Sequence, residues 1–203
     1  MTGEDVDVIE RQTMFQGYFR IDRYRLRHRK HDGSWTGEMT REIFERGHAV
    51  AVLLYDPDRD AVALIEQFRP GAMAAGWHPW LMEIVAGIIE DGETSDQVAR
   101  RESMEEAGCA ITALVPVARY LVSPGGTTET CEIMCGRVDS RGMGGLHGLD
   151  AEYEDIRVVV VPASDAISMV GDGRMVNAAG IVALQWLALN HAALREKWRG
   201  ADA

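Results

Sequence analysis

Residues 86–109 read AGIIEDGETSDQVARRESMEEAGC, and this stretch decides how the rest of the chain is read. Gly87 opens a turn, Gly92 and Glu93 close an acidic loop, and a helix follows Thr94 or Ser95, either of which offers an N-capping hydroxyl. At 100° per residue Glu102, Glu105 and Glu106 fall within an arc of roughly 100°, beside a small face of Ala99, Ser103 and Ala107. Three carboxylates at this spacing repel one another and weaken a helix unless a cation sits among them. Hard divalent ions, which take oxygen ligands, supply that charge. An arbitrary acidic run of this kind is a solvated helix face; the residues around this one point elsewhere.

Gly87, Glu93, Arg101, Glu102, Glu105, Glu106 and Gly108 fit the pattern G-x5-E-x7-R-E-U-x-E-E-x-G-U, with U an apolar residue. Ser103 departs from it where an aliphatic residue is preferred, and Cys109 is a modest hydrophobe at the last position. The pattern resembles the signature of the Nudix hydrolases, which cleave nucleoside diphosphates linked to another moiety with Mg2+ or Mn2+.

The chain has 203 residues, enough for one domain with a full core and a small N-terminal extension. A formal net charge of -11 argues against a non-specific nucleic-acid binder, which needs a basic surface. It does not exclude an anionic small substrate, because metal ions on clustered acids bridge to phosphate while local arginines cradle the rest. Cys109, Cys131 and Cys135 lack C-x-x-C spacing and read as reduced core thiols. The start MTGEDVDVIE has neither the basic flank nor the apolar run of a signal peptide, and no stretch approaches the ~18 apolar residues of a membrane span. The expectation is a cytoplasmic protein with no membrane or nucleic-acid partner.

In chain order, residues 8–29 alternate aromatic and aliphatic positions with arginines and read as one or two strands; 31–35 (HDGSW) is a turn, and 39–44 returns as a partner strand. Residues 48–56 and 61–69 around PDRD are the clearest hairpin. Residues 70–80, rich in Gly, Ala and Pro, read as a loop leading to a strand over 81–87. After the helix come strands over 112–122 and 131–138 joined by the turn SPGGTTE, a flexible acidic loop over 140–156, a short buried strand over 157–161, and helices over 163–170 and 177–198. His147, between glycines in that loop, reads as a spacer or turn residue. Strands wrapped by a few helices describe an α+β fold, and the resemblance implies a Nudix-type α/β/α sandwich with a mixed sheet. The division expected is 1–45, an N-terminal antiparallel β-sheet, and 46–203, the hydrolase domain.

SPGGTTE, with Pro124 placed 16 positions after Gly108, is similar to the mark of the ADP-ribose pyrophosphatase branch, as are REIFERGHAVAVL, GLHGLDAEYEDIRV and ALQWLALNH. The likeness runs over residues 13–198. It implies hydrolysis of ADP-ribose to AMP and ribose 5-phosphate; the box itself handles only the diphosphate, so another nucleotide sugar such as GDP-mannose or ADP-glucose stays open. A non-catalytic nucleotide-binding sensor is the other class, and it would lack metal glutamates that are present here. Carried over by residue, the resemblance makes Glu102 and Glu106 the principal metal ligands, joined by the Ala86 carbonyl, Glu105 and Glu154. It gives Arg101 and Glu93 a mutual hold on the loop, and the general base to Glu152, with Asp150, Glu154 and Asp155 beside it as alternatives. Arg41 and Arg69 fall near the phosphates, Glu129 near the terminal ribose, and Tyr18 where an aromatic stacks on adenine. Family members form homodimers by exchanging the N-terminal sheet, which would bring Tyr18 to the partner's site.

Overall fold

The computed structural model describes residues 4–149, 151 and 153–199. They form two compact units, one comprising the chain up to His48 with Leu121–Thr130, the other Ala49–Tyr120 with the chain from Cys131 onward.

The first unit is an antiparallel sheet of β1 (Val6–Gln16), β2 (Arg20–His28) and β3 (Met39–Glu45) in that order. The central strand sets Tyr24 opposite Arg11 on one side and Arg41 on the other. Asp22, wholly buried, is satisfied by Arg11, Thr13 (2.8 Å) and Arg20 (3.1 Å). The hydrogen bond from Arg11 holds its carboxyl below the usual range. Residues 121–130 join this unit where Phe44 N–H donates to the Gly126 carbonyl (2.8 Å) and Thr128 N–H to the Phe44 carbonyl (3.2 Å).

The second unit is organised by β4 (Ala49–Asp56), buried along almost its whole length. Strand periodicity sends Ala51, Leu53 and Tyr55 to one face and Val50, Val52 and Leu54 to the other, and both faces are covered. The first face packs with α3 (Ala163–Asp172) and α4 (Ala178–Arg199), the second with α2 (Ser95–Ala107), giving an α/β/α sandwich. Each buried Val, Leu or Ile in these layers stabilises by about 1.5–3 kcal/mol relative to an exposed one. The sheet runs β10 (Gly145–His147), β11 (Ile156–Pro162), β5 (Ala61–Phe68), β4, β9 (Thr130–Arg137), β8 (Ala113–Leu121), with β4 and β9 parallel.

β4 and β5 pair only near their turn, over Leu54–Asp56 and Ala61–Ala63, and then diverge. The strand expected over 81–87 fills the gap by splitting at Ile84: β6 (Trp80–Glu83) pairs with β5, and β7 (Val85–Ile88) with β4. Two further expectations are corrected here. The loop over 70–80 contains a short helix α1 (Pro70–Ala74), begun by a proline whose missing N–H is no loss at that position. The loop over 140–156 contains β10, in which His147 pairs with Ile156, so His147 is a strand residue and not a turn spacer.

Candidate active site

β7 delivers the chain to the loop at 89–94, where Gly92 turns at φ 91° and Glu90 N–H donates to the Glu93 carboxylate (3.1 Å). Thr94 is the helix cap: Gln97 N–H donates to its hydroxyl (3.3 Å), and Thr94 N–H to the Gln97 side chain (2.9 Å), a reciprocal capping box. Ser95 instead donates to Glu132 (2.7 Å), which also pairs with Arg119 (3.3 Å), pinning the start of α2 to β9. The helix ends at Gly108, which adopts φ 61°, with Gly108 N–H on the Met104 carbonyl and Cys109 N–H on the Ser103 carbonyl.

The buried stripe of α2 is Val98, Ala99, Ser103, Glu106 and Ala107. At the aliphatic position Ser103 is fully buried, and its hydroxyl is satisfied by donating to the Ala99 carbonyl (2.6 Å). Against this stripe lies Gly87, where a β-carbon would fall 1.9 Å from Glu102 Oε1. The glycine is the space that the Glu102 carboxylate occupies.

Glu106 is 4% exposed and accepts the Ala86 N–H (3.1 Å). Burial pushes its pKa up to about 8, with Glu102 and Glu154 adding repulsion. Burial also raises Glu102, to about 6, against the pull of Arg101. Arg101 binds Glu93 (3.1 and 3.3 Å), Glu102 (2.8 Å) and Glu105 (3.1 Å), so one guanidinium straps the loop to the helix. Glu154 accepts the Leu149 N–H (3.1 Å), and Arg69 pairs with Glu83 (2.8 Å). Glu152 and Asp150 lie outside the described residues.

The second unit therefore gathers Ala86, Glu93, Arg101, Glu102, Glu105 and Glu106 around α2, with Arg69 and Glu154 close enough to act on Glu106 electrostatically. Tyr18, Arg41 and Glu129 belong to the first unit. There Tyr18 is 87% exposed and edge-on to Phe19, Arg41 donates to its neighbour's carbonyl (2.7 Å), and Glu129 is buried and paired with Arg46 (3.2 Å). Glu83 and Glu132 lie outside the sequence motif. A charged residue inside the apolar run LMEIV was the available signal for the first; nothing local marks the second.

Among the described residues no three His, Cys, Asp or Glu side chains stand in a closed coordination geometry. Glu102 is turned to Arg101, Glu154 to Leu149 and Glu106 to Ala86. The donor set nevertheless fits a hard divalent cation. It is all oxygen, burial followed by repulsion from neighbouring carboxylates holds the Glu102 and Glu106 pKa values up against the pull of Arg101 and Arg69, and Gly87 leaves the space in which Glu102 lies.

The family model for the NUDIX domain matches residues 45–202. Over 194 residues the chain is 50% identical to an ADP-ribose pyrophosphatase of Escherichia coli (strain K12), covering 96% of this chain and 93% of that one. It is 39% identical over 202 residues to an ADP-ribose pyrophosphatase of Haemophilus influenzae, covering 97% and 92%. A solved ADP compounds hydrolase superposes with a TM-score of 0.69 at 18% identity, over 93% of this chain and 97% of that one, which shows a shared fold. With its strand, loop and capped helix carrying every glycine, glutamate and arginine of the signature, the chain belongs to the NUDIX domain family.

Proposed function

We propose that the protein hydrolyses the diphosphate of ADP-ribose to AMP and ribose 5-phosphate. The observation that carries the reaction class is the packing of two α2 carboxylates against β7, Glu102 at Gly87 and Glu106 on the Ala86 N–H, an oxygen-only, partly buried anionic set. The choice of ADP-ribose rests on the names of relatives that match nearly the whole chain.

In this reading the Ala86 carbonyl, Glu102, Glu105, Glu106 and Glu154 would hold the metal. Mg2+, or Mn2+ in its place, supplies positive charge to the phosphate oxygens and Lewis acidity at phosphorus when bound. Glu152 accepts the proton of the attacking water; the new phosphorus–oxygen bond forms as the bridging one breaks, and the two monophosphates leave. Arg101, held by Glu93, keeps Glu102 and Glu105 in place. Arg69 and Arg41 offer guanidinium forks to the phosphates, Glu129 accepts from ribose hydroxyls, and Tyr18 stacks on adenine.

The protein in this reading is a homodimer built through the N-terminal sheet. Supporting it, β1 exposes Val6, Val8, Met14 and Phe15. Light scattering on the purified protein tests that arrangement. The activity is tested by incubating ADP-ribose, GDP-mannose and ADP-glucose with Mg2+ and resolving the products. AMP and ribose 5-phosphate from ADP-ribose at the highest kcat/KM, abolished by chelation, is the expected result; preferred turnover of either other sugar overturns the substrate assignment.

A further inference from the structure

Glu83 ends β6, follows three apolar residues and is 2% exposed. A buried carboxylate is costly unless its oxygens are paired, and an apolar side chain of similar size would fill the space more cheaply. Here it is paired completely. Oε2 accepts from Gln67 Nε2 (3.2 Å), Arg69 Nε (3.1 Å) and Arg69 Nη2 (2.8 Å), and Oε1 from Asn177 Nδ2 (3.0 Å).

Both sides of this node are fixed by the backbone. Asn177, a donor to Glu83, spends its acceptors on the start of α4: its Oδ1 takes the Gly180 N–H (3.2 Å) and its carbonyl the Ile181 N–H (2.9 Å). Arg69 sits between β5 and α1, with its N–H on the Pro79 carbonyl (2.7 Å) and its own carbonyl accepting the Ala72 N–H (3.1 Å). A guanidinium has five N–H donors. Glu83 takes one from Nε and one from Nη2, which leaves the other Nη2 hydrogen and both of Nη1 unengaged among the described residues.

We propose that Glu83 is a positioning residue that locks the Arg69 guanidinium before substrate arrives, so that its three remaining donors form a preset fork for phosphate oxygens. This rests on the reading of Arg69 as a diphosphate contact. A side chain ordered in advance loses less freedom on binding, so the benefit falls on substrate affinity. A carboxylate does this better than an amide, because the charge-assisted pair is stronger and both of its oxygens accept.

The test is a double-mutant cycle on ADP-ribose hydrolysis combined with a measurement on the free enzyme. Glu83→Gln is expected to raise KM about tenfold with kcat within about threefold, and to add no further loss in an Arg69→Ala background. A loss of equal size in both backgrounds would mean that Glu83 acts without Arg69, and overturns the proposal. So does an unchanged KM. Glu83→Asp, which keeps the buried charge and withdraws it from Arg69, should give the same pattern and stands in if Glu83→Gln does not fold. In the wild-type enzyme without substrate, the Arg69 Nε–H resonance, assigned by its loss in Arg69→Lys, should show slow solvent exchange and backbone-like order. A fast-exchanging, mobile Nε–H overturns the anchoring whatever the substrate is. Slow exchange in a protein that leaves ADP-ribose intact supports the anchoring and sinks only the functional reading.

Discussion

Gly87 and Glu102 share one space: a β-carbon on Gly87 would stand 1.9 Å from Glu102 Oε1 and 2.3 Å from its Cδ. Neither β7 nor α2 can retreat cheaply, since Val85 beside the glycine and Val98 and Ala99 on the helix are fully buried in one core layer. Gly87→Ala therefore displaces the Glu102 carboxylate. The expected result is a fall in kcat/KM of about 100-fold or more, a raised Mg2+ requirement, and a melting temperature only a few degrees lower. An alanine variant with wild-type Mg2+ dependence would remove Glu102 from the metal set.

Glu106 gives the metal-free protein a pH dependence whose sign is opposite to that of ordinary paired acids. Its folded pKa, pushed by burial to about 8, lies above the ordinary carboxylate value, so in the window between the two the native state holds a proton that the unfolded chain has released. Stability then falls as pH rises from about 4.5 to about 8, by up to about 1.4 kcal/mol per pH unit. Glu102, raised to about 6, adds to the lower part of the window. Thermal melts in chelator across pH 5–8.5 should show this decline. Glu106→Gln should flatten the part above pH 6, and Mg2+ should restore wild-type stability at pH 8 while leaving the variant little changed.

The strand, loop and helix around residues 86–109 were legible because every part of them is local: a capping box four residues long, a helical repeat, and glycines that turn the chain. The 48–69 hairpin was legible for the same reason. What sequence did not reveal depends on contacts between distant residues. A single strand over 81–87 reads naturally from its apolar run, and it breaks at Ile84 only because β4 and β5 diverge and leave two edges to fill. Ser103 looks like a defect in the motif until its hydroxyl is seen to close on Ala99. Glu83 reads as one more strand residue, and only the approach of Asn177, 94 positions later, completes its surroundings.

In the proposed reading, with Glu152 as general base and Glu154 as a metal ligand, two neighbouring variants separate proton transfer from metal binding. Removing a positioned general base costs ~10²–10⁴ in rate. Glu152→Gln is expected to lower kcat by that order with KM for ADP-ribose little changed, while Glu154→Gln moves the Mg2+ titration to higher concentration and recovers much of its rate at saturation. Both are measured over the same metal series. Full kcat in Glu152→Gln together with a metal-independent loss in Glu154→Gln would reverse the two roles.

The last expectation concerns how that loop is tied to the signature helix. A β-carbon on Gly108 would meet His147 Cε1 at 2.7 Å, and His147 Nε2 is hydrogen-bonded to the Gly144 carbonyl (3.0 Å) while its backbone pairs with Ile156. One residue on, a β-carbon at Gly148 would meet Glu154 Cβ at 2.7 Å. The final glycine of the signature thus ends α2 at φ 61° and also seats the histidine that begins the loop carrying Glu154. Gly108→Ala imposes two separable costs: left-handed backbone strain of about 1 kcal/mol, and displacement of the His147 ring. The strain remains in any background, whereas the clash disappears when the ring is removed. Gly108→Ala is therefore expected to lower kcat severalfold and stability by about 2 kcal/mol. Adding His147→Ala should recover part of the stability and leave the strain, a coupling of about 1 kcal/mol in a double-mutant cycle. Strict additivity of the two substitutions in chemical denaturation would show that Gly108 serves the helix end alone.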